Sequence, residues 1–127
     1  MAILFDTGAL ERLRRGERDA EALAIRHYPP LICAHVAAEF LYGQLWAEVS
    51  PAAIEEARSF LRSFEILTPT FETVAIYARL RAALRRSGRT LPEPDYWVAA
   101  HAIEEAIPLV STDGHFSAIP EVDLHLI

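Results

Sequence analysis

Short, unbroken apolar runs separated by helix-length stretches constrain this chain more than any other feature of it. Ile3-Leu4-Phe5, Leu31-Ile32-Cys33-Ala34 and Leu109-Val110 contain no charged residue. A strand with water on one face alternates apolar and polar side chains, whereas an unbroken apolar run fits a strand covered on both faces. Strands are therefore expected at 2–6, 31–34, 65–67, 108–111 and 122–126. Between them, apolar residues recur at helical spacing, as in Val36, Phe40, Gly43 and Ala47, or Val74, Tyr77, Ala78, Arg81 and Leu84 on neighbouring turns. These predict helices near 7–15, 18–27, 36–48, 51–64, 70–87 and 94–107, with a turn or short helix around 114–118. Punctuation agrees: Pro29-Pro30 breaks the chain, Ser50-Pro51 is a cap followed by proline at the first helical position, and Ser87-Gly88 is a stop. Buried strands alternating with helices imply the α/β class, a three-layer α/β/α fold around a mostly parallel sheet of roughly five strands.

Acids stand at the ends of these runs. Asp6 closes Ala2-Ile3-Leu4-Phe5, and Asp113 follows Leu109-Val110-Ser111-Thr112. Glu39 and Asp95 fall in the opening turns of the helices expected at 36–48 and 94–107. In parallel sheets ligands bind beyond the carboxyl ends of the strands, where Asp6 and Asp113 are expected. Acids gathered there repel one another unless a divalent cation lies between them, so the pattern reads as a hard-metal site. Each acid also has a plainer reading. Asp95 beside Pro94, and Glu39, would favour the positive end of a helix, worth about 0.3–1 kcal/mol. Asp113 would shape a turn with Gly114. Asp6, charged and directly after a buried strand, fits a plain reading worst.

At 127 residues the chain can bury roughly two-thirds of its unfolded surface as one domain. No uncharged apolar stretch approaches the roughly 20 residues needed to span a bilayer. Met1 leads directly into a strand-like run without the basic and apolar regions of an export signal. The single Cys33 excludes an internal disulfide and suits a reducing cytoplasm. The net charge of −6 argues against broad adhesion to nucleic acid. A phosphodiester substrate stays compatible, because bound divalent cations cancel local acid charge. All 12 basic residues are arginine. Haloacid-dehalogenase-like phosphatases and response-regulator receivers use a lysine near the phosphoryl group. The former also need a second acid two residues after the nucleophile, where Gly8 stands.

Four ordered segments carry a family resemblance. Ile3-Leu4-Phe5-Asp6-Thr7-Gly8-Ala9-Leu10 resembles the opening of the PIN domain, and Ala38-Glu39-Phe40-Leu41-Tyr42-Gly43 resembles its glutamate helix. Pro94-Asp95-Tyr96-Trp97-Val98-Ala99-Ala100-His101-Ala102 is similar to its third acidic segment, and Ser111-Thr112-Asp113-Gly114-His115-Phe116 to its last. Among PIN proteins the chain looks most like the small VapC toxins of toxin–antitoxin pairs. The resemblance implies that residues 1–127 form a single PIN-like nuclease domain. It implies that Asp6, Glu39, Asp95 and Asp113 are catalytic, with Asp6, Asp95 and Asp113 holding Mg²⁺ or Mn²⁺ for RNA hydrolysis and Glu39 orienting the attacking water. It implies as partners an RNA substrate of the transfer or ribosomal class and a VapB-like antitoxin that offers a basic side chain to the acids. Alternatives are a catalytically silent PIN-like binding module and a housekeeping PIN nuclease.

Other positions stay open between two uses. Thr7 and Thr112 flank metal acids and would either orient carboxylates or serve caps and turns. His115, where many relatives carry another acid, would pack the turn or touch metal or substrate. Glu93 would be a solvated loop acid or supplement the cluster. Cys33 reads as a small buried hydrophobe, and His35 and His101 as satisfied structural histidines. Val36 departs from relatives that carry a hydroxyl residue there. Arg12, Arg14 and Arg15, or Arg81, Arg85, Arg86 and Arg89, would guide RNA phosphates or form solvated charged faces. Tyr96, Trp97 and Trp46 would stack on bases or pack a core or subunit contact. Leu41, Leu45 and Trp46 suggest a helix face for a homodimer.

Overall fold

The computed structural model describes residues 1–127. Five short strands, β1 (Ile3–Phe5), β2 (Pro30–Cys33), β3 (Glu65–Leu67), β4 (Leu109–Ser111) and β5 (Leu124–Leu126), form one sheet. Their order is β3-β2-β1-β4-β5, and every pairing is parallel. The helices are α1 (Thr7–Arg14), α2 (Arg18–Arg26), α3 (Ala34–Trp46), α4 (Pro51–Arg62), α5 (Phe71–Arg86) and α6 (Glu93–Glu105), with a short 3-10 helix at Gly114–Ala118. Parallel crossovers are right-handed by a general steric rule. Because the chain steps from β1 to β2 to β3 and then back across to β4, that rule puts α1–α4 on one face and α5 and α6 on the other. The expected α/β/α sandwich is the observed architecture.

The apolar runs of the inner strands are the centre of the core. Ile3, Leu4, Phe5, Ile32, Leu109 and Val110 have no exposed surface. The edge strands β3 and β5 are three residues long, and exposed Glu65 on β3 is a charge of the kind that discourages edge-to-edge pairing. Local punctuation works as the sequence predicts. The Ser50 hydroxyl accepts from Ala53 N at 3.1 Å to cap α4, and Gly88 takes a positive φ of 78° just beyond the end of α5. No helix is long and apolar enough to cross a membrane.

Most boundaries shift by a residue or two, and two of the shifts have a physical reason. The helix predicted at 36–48 starts at Ala34, because Cys33 is both the last residue of β2 and the extended residue that opens α3. β2 therefore runs into α3 without a loop, and Glu39 lies in the second turn, too far in for the helix dipole alone to explain it. The last strand begins at Leu124 instead of Val122, whose N–H is held by Ile119 O in a turn.

The strand order also locates a cleft. β1 leads away to β2 on one side, while its other neighbour β4 leads on to β5 in the opposite direction. The carboxyl ends of β1 and β4 thus flank the switch point where such sheets bind ligands. The residues following them include Asp6 and Asp113.

Candidate functional site

Asp6 is only 8% exposed and holds two posts at once. As the last extended residue before α1 it is that helix's N-cap, and its Oδ1 accepts from Ala9 N at 2.9 Å. Its other oxygen, Oδ2, accepts from the Ser111 hydroxyl on β4. Asp6 N donates to Val110 O at 3.1 Å, so backbone and side chain together stitch the β1–β4 seam. Ser111 Oγ in turn accepts from Asp113 N at 2.9 Å. One buried hydroxyl therefore fixes the first acid and the backbone of the last.

Asp95 stands in the first turn of α6, whose N-terminus reaches the same edge of the sheet. His115 lies between it and Asp113: ring Nε2 contacts Asp95 Oδ2, and Nδ1 is 2.7 Å from Asp113 Oδ1. Asp113 Oδ1 also accepts from His115 N at 3.0 Å, capping the 3-10 helix. Glu39, on α3, is exposed, and the Thr7 side chain acts to lower its carboxyl. Val36 is fully buried, so the hydroxyl that serves Glu39 comes from α1 instead of from its own helix.

Electrostatics identifies these acids as one cluster. Burial raises the Asp6 carboxyl; the bonds from Ser111 and Ala9 offset part of this, and the charges of Asp95 and Asp113 add to it. Glu39 is raised by partial burial and then by Asp95 and Asp6. Asp95 is raised by burial, relieved by His115, and raised again by Asp113. Asp6 and Asp95 each feel or exert repulsion on all the other members. An all-oxygen donor set pushed toward protonation by burial and mutual repulsion fits a hard divalent cation, which would hold the carboxylates charged.

Several secondary positions resolve. Thr7 favours the orienting use, its side chain acting to lower the Glu39 carboxyl. Thr112 instead packs over Gly8: a Cβ placed on Gly8 would lie 2.3 Å from Thr112 Oγ1. That contact leaves no room at position 8 for the second acid of a dehalogenase-like phosphatase. It also makes a prediction. Gly8→Ala alone forfeits the helix-propensity gain of about 0.5–1 kcal/mol, because Thr112 must leave its rotamer. Made on a Thr112→Ala background, the same change should stabilise by about that amount, read as a double-mutant cycle in urea.

Glu93 opens α6 but faces away from the acids, its Oε1 accepting from Tyr77 Oη at 2.9 Å and Trp97 Nε1 at 3.1 Å. Tyr96 is buried and its hydroxyl accepts from Leu91 N at 2.9 Å, so it packs and pins the preceding loop. Trp97 stacks on Tyr77 at 4.1 Å and on His35 at 5.2 Å. Arg12 and Arg15 are bound to Glu17 at 2.8 and 2.9 Å, and Arg12 also to Asp19. Arg89 differs: it shares a cleft of about 370 Å³ with His115, alongside Thr90 and Leu91.

Sequence reasoning missed Ser111, which in a strand looks like any ladder residue. It also undervalued His115, whose bridging of two acids depends on a turn that brings Asp113 back toward α6. His35 and His101 depart from expectation: neither is satisfied, since His35 Nδ1 and His101 Nε2 are buried without a hydrogen-bond partner. Cys33 is a free, fully buried thiol as expected, and burial pushes it up to about 11.

Known proteins share this fold. Ribonuclease VapC5 of Mycobacterium tuberculosis is 36% identical over 55 residues, a stretch covering 43% of this chain and 41% of that protein. The match thus spans about two-fifths of the relative's length. The solved structure of VapBC-1 from nontypeable Haemophilus influenzae superposes with a TM-score of 0.85 at 18% identity, covering 99% of this chain and 98% of that one. VapBC-5 of M. tuberculosis, a member of the VapBC family of toxin–antitoxin systems, gives a TM-score of 0.72 at 26% identity, covering 99% of this chain and 97% of that one. The PIN domain model matches residues 3–122, from the first residue of β1 to just before β5. With that match over nearly all of its length, the chain belongs to the PIN domain family.

Proposed function

We propose that this chain is a metal-dependent endoribonuclease toxin of VapC type, working in the cytoplasm and held in check by a VapB-like antitoxin. The observation that carries the reading is the repelling cluster of Asp6, Glu39, Asp95 and Asp113 at the switch-point cleft. Asp6, Asp95 and Asp113 would hold Mg²⁺, or Mn²⁺ in its place. When bound, the cation polarises a phosphoryl oxygen and lowers the pKa of water near it. The chain's own residues do the positioning. Ser111 and Ala9 N fix both oxygens of Asp6, His115 keeps Asp95 and Asp113 at a set separation, and Thr7 aims the more open Glu39 toward the water. Arg89, in the cleft beside His115, draws the phosphate backbone toward the acids. Hydrolysis by a metal-activated water leaves a 5′-phosphate.

The similarity to a protein named as a ribonuclease and to a toxin–antitoxin complex supports this reading. A pooled transfer- and ribosomal-RNA substrate tests it. With Mg²⁺ the protein should make site-selective cuts that EDTA abolishes. No cleavage by clean, folded protein would point to a silent binding module. A small DNA-binding reading frame immediately upstream would separate a toxin from a housekeeping nuclease.

Of the α3 residues expected to form a homodimer face, Leu45 and Trp46 are exposed while Leu41 packs partly against the core, and exposed Tyr42 takes its place beside them. Trp46 is 76% exposed, and it stacks on exposed Tyr42 with ring centres 6.4 Å apart. Light scattering across concentrations should give twice the chain mass, and Trp46→Glu with Leu45→Glu should return the monomer. A wild-type monomer mass at every concentration removes the dimer.

A further inference from the structure

We infer that Cys33, His35 and His101 form a second metal site, separate from the acid cluster and suited to Zn²⁺. Each of the three brings a ligand-type atom to within 4.8 Å of the others. Cys33 ends β2, His35 is the second residue of α3, and His101 lies in the middle of α6. Cys33 has no exposed surface and His101 is 1% exposed. His35 Nδ1 and His101 Nε2 are both buried and have no hydrogen-bond partner. A buried imidazole nitrogen without a partner is costly, and two such nitrogens belong to residues gathered around one buried thiol. A cation satisfies all three at once.

The ligand chemistry chooses the ion. A thiolate with two imidazoles is a borderline-soft set that prefers zinc to the hard ions favoured by carboxylates. Tetrahedral zinc, with Zn–S near 2.3 Å and Zn–N near 2.0–2.1 Å, needs its ligand atoms roughly 3.3–3.6 Å apart, so modest side-chain rotation closes the site. Three protein ligands leave a fourth position for water. The His35 ring is already clamped, lying within 10° of parallel to Trp97, which is itself stacked on Tyr77. The surroundings are anionic: the charge of Glu39 acts at Cys33, and that of Glu104 at His101. On binding, the Cys33 S–H bond breaks, the sulfur lone pair goes to the metal, and one proton leaves to solvent.

The site would join the β2–α3 junction to α6, the two elements that carry Glu39 and Asp95. Zinc would then fix how those acids face each other while touching neither.

Cobalt substitution of the reduced protein, in excess Mg²⁺ to occupy the acids, tests the proposal. One equivalent of Co²⁺ should give thiolate charge-transfer absorption and the intense visible bands of tetrahedral cobalt. One equivalent of Zn²⁺ should displace it and raise the unfolding midpoint. The signal should persist in Asp6→Asn, vanish in Cys33→Ser, and require roughly 100-fold or more cobalt in His101→Gln. Folded wild type without the charge-transfer band overturns the site, as does a band indifferent to His101→Gln. A signal lost in Asp6→Asn overturns it too, by placing the cobalt among the acids. Should Cys33→Ser fail to fold, the wild-type and His101→Gln spectra still decide.

Discussion

Asp6→Asn and Asp95→Asn should each lower RNA cleavage by roughly 10³-fold or more while leaving the fold and RNA binding intact. Asparagine caps a helix about as well as aspartate, so its Oδ1 can keep accepting from Ala9 N, and Ser111 retains a neighbour. Asp95→Asn likewise preserves the contact with His115 in size and shape. What disappears in both is a unit of negative charge at the centre of the cluster. Loss confined to turnover, with the dissociation constant for RNA unchanged or lower, marks an interaction that acts in the transition state. Circular dichroism and a urea midpoint establish that the variants are folded. Cleavage at wild-type rates in either variant would move the chemistry away from these acids.

The second large effect concerns stability without a divalent cation. Asp6, Glu39 and Asp95 all have carboxyls raised above their ordinary values of about 3.9 and 4.3, each chiefly by burial. A raised acid binds its proton more tightly folded than unfolded. Its stabilising contribution is therefore complete below the unfolded pKa and is lost as pH rises through the folded one. In EDTA the unfolding midpoint should climb as the pH is lowered from neutrality toward the ordinary carboxylate range. The ion pairs of Glu17 and Glu121 have the opposite sign, both acids being lowered by arginine partners, but they lie on the surface and contribute little. Two controls isolate the cluster. Mg²⁺ should raise the midpoint at neutral pH and flatten the slope, and Asp6→Asn should raise the cation-free midpoint by a few degrees. A cation-free protein most stable at neutral pH, with no response to Mg²⁺, would mean that the carboxylates do not share a cation.

The strands, the helices and the four acids were legible because each rests on local chemistry. Ile3-Leu4-Phe5 cannot face water, and a charge directly after it must lie at the edge of the core. Glu39 was placed one turn too early because nothing local reveals that β2 enters α3 without a loop. Ser111 and His115 were harder, since their roles arise from partners far along the chain: Ser111 bonds Asp6, and His115 bonds Asp95. The Cys33–His35–His101 group was illegible for the same reason. Only Cys-x-His is contiguous, and His101 joins it through the packing of α6 beside α3. Pattern reading finds residues that obey the fold. It overlooks residues whose neighbours are supplied by it.

The strand order has a consequence in time. β1 is made first, yet its neighbour β4 comes more than 100 residues later in the chain. A polypeptide emerging from the ribosome at about 5–20 residues per second carries Asp6 and Glu39 for several seconds, and Asp95 for about one to three, before Leu109–Ser111 exists to pair with β1. Until then Asp6 has no serine to hold it, Asp113 is unmade, and His115 cannot clasp Asp95. On the proposed function, the nascent chain would be inactive. Its acids would come together only when the penultimate strand pairs beside the first, leaving an interval in which a proposed inhibitor could already be waiting.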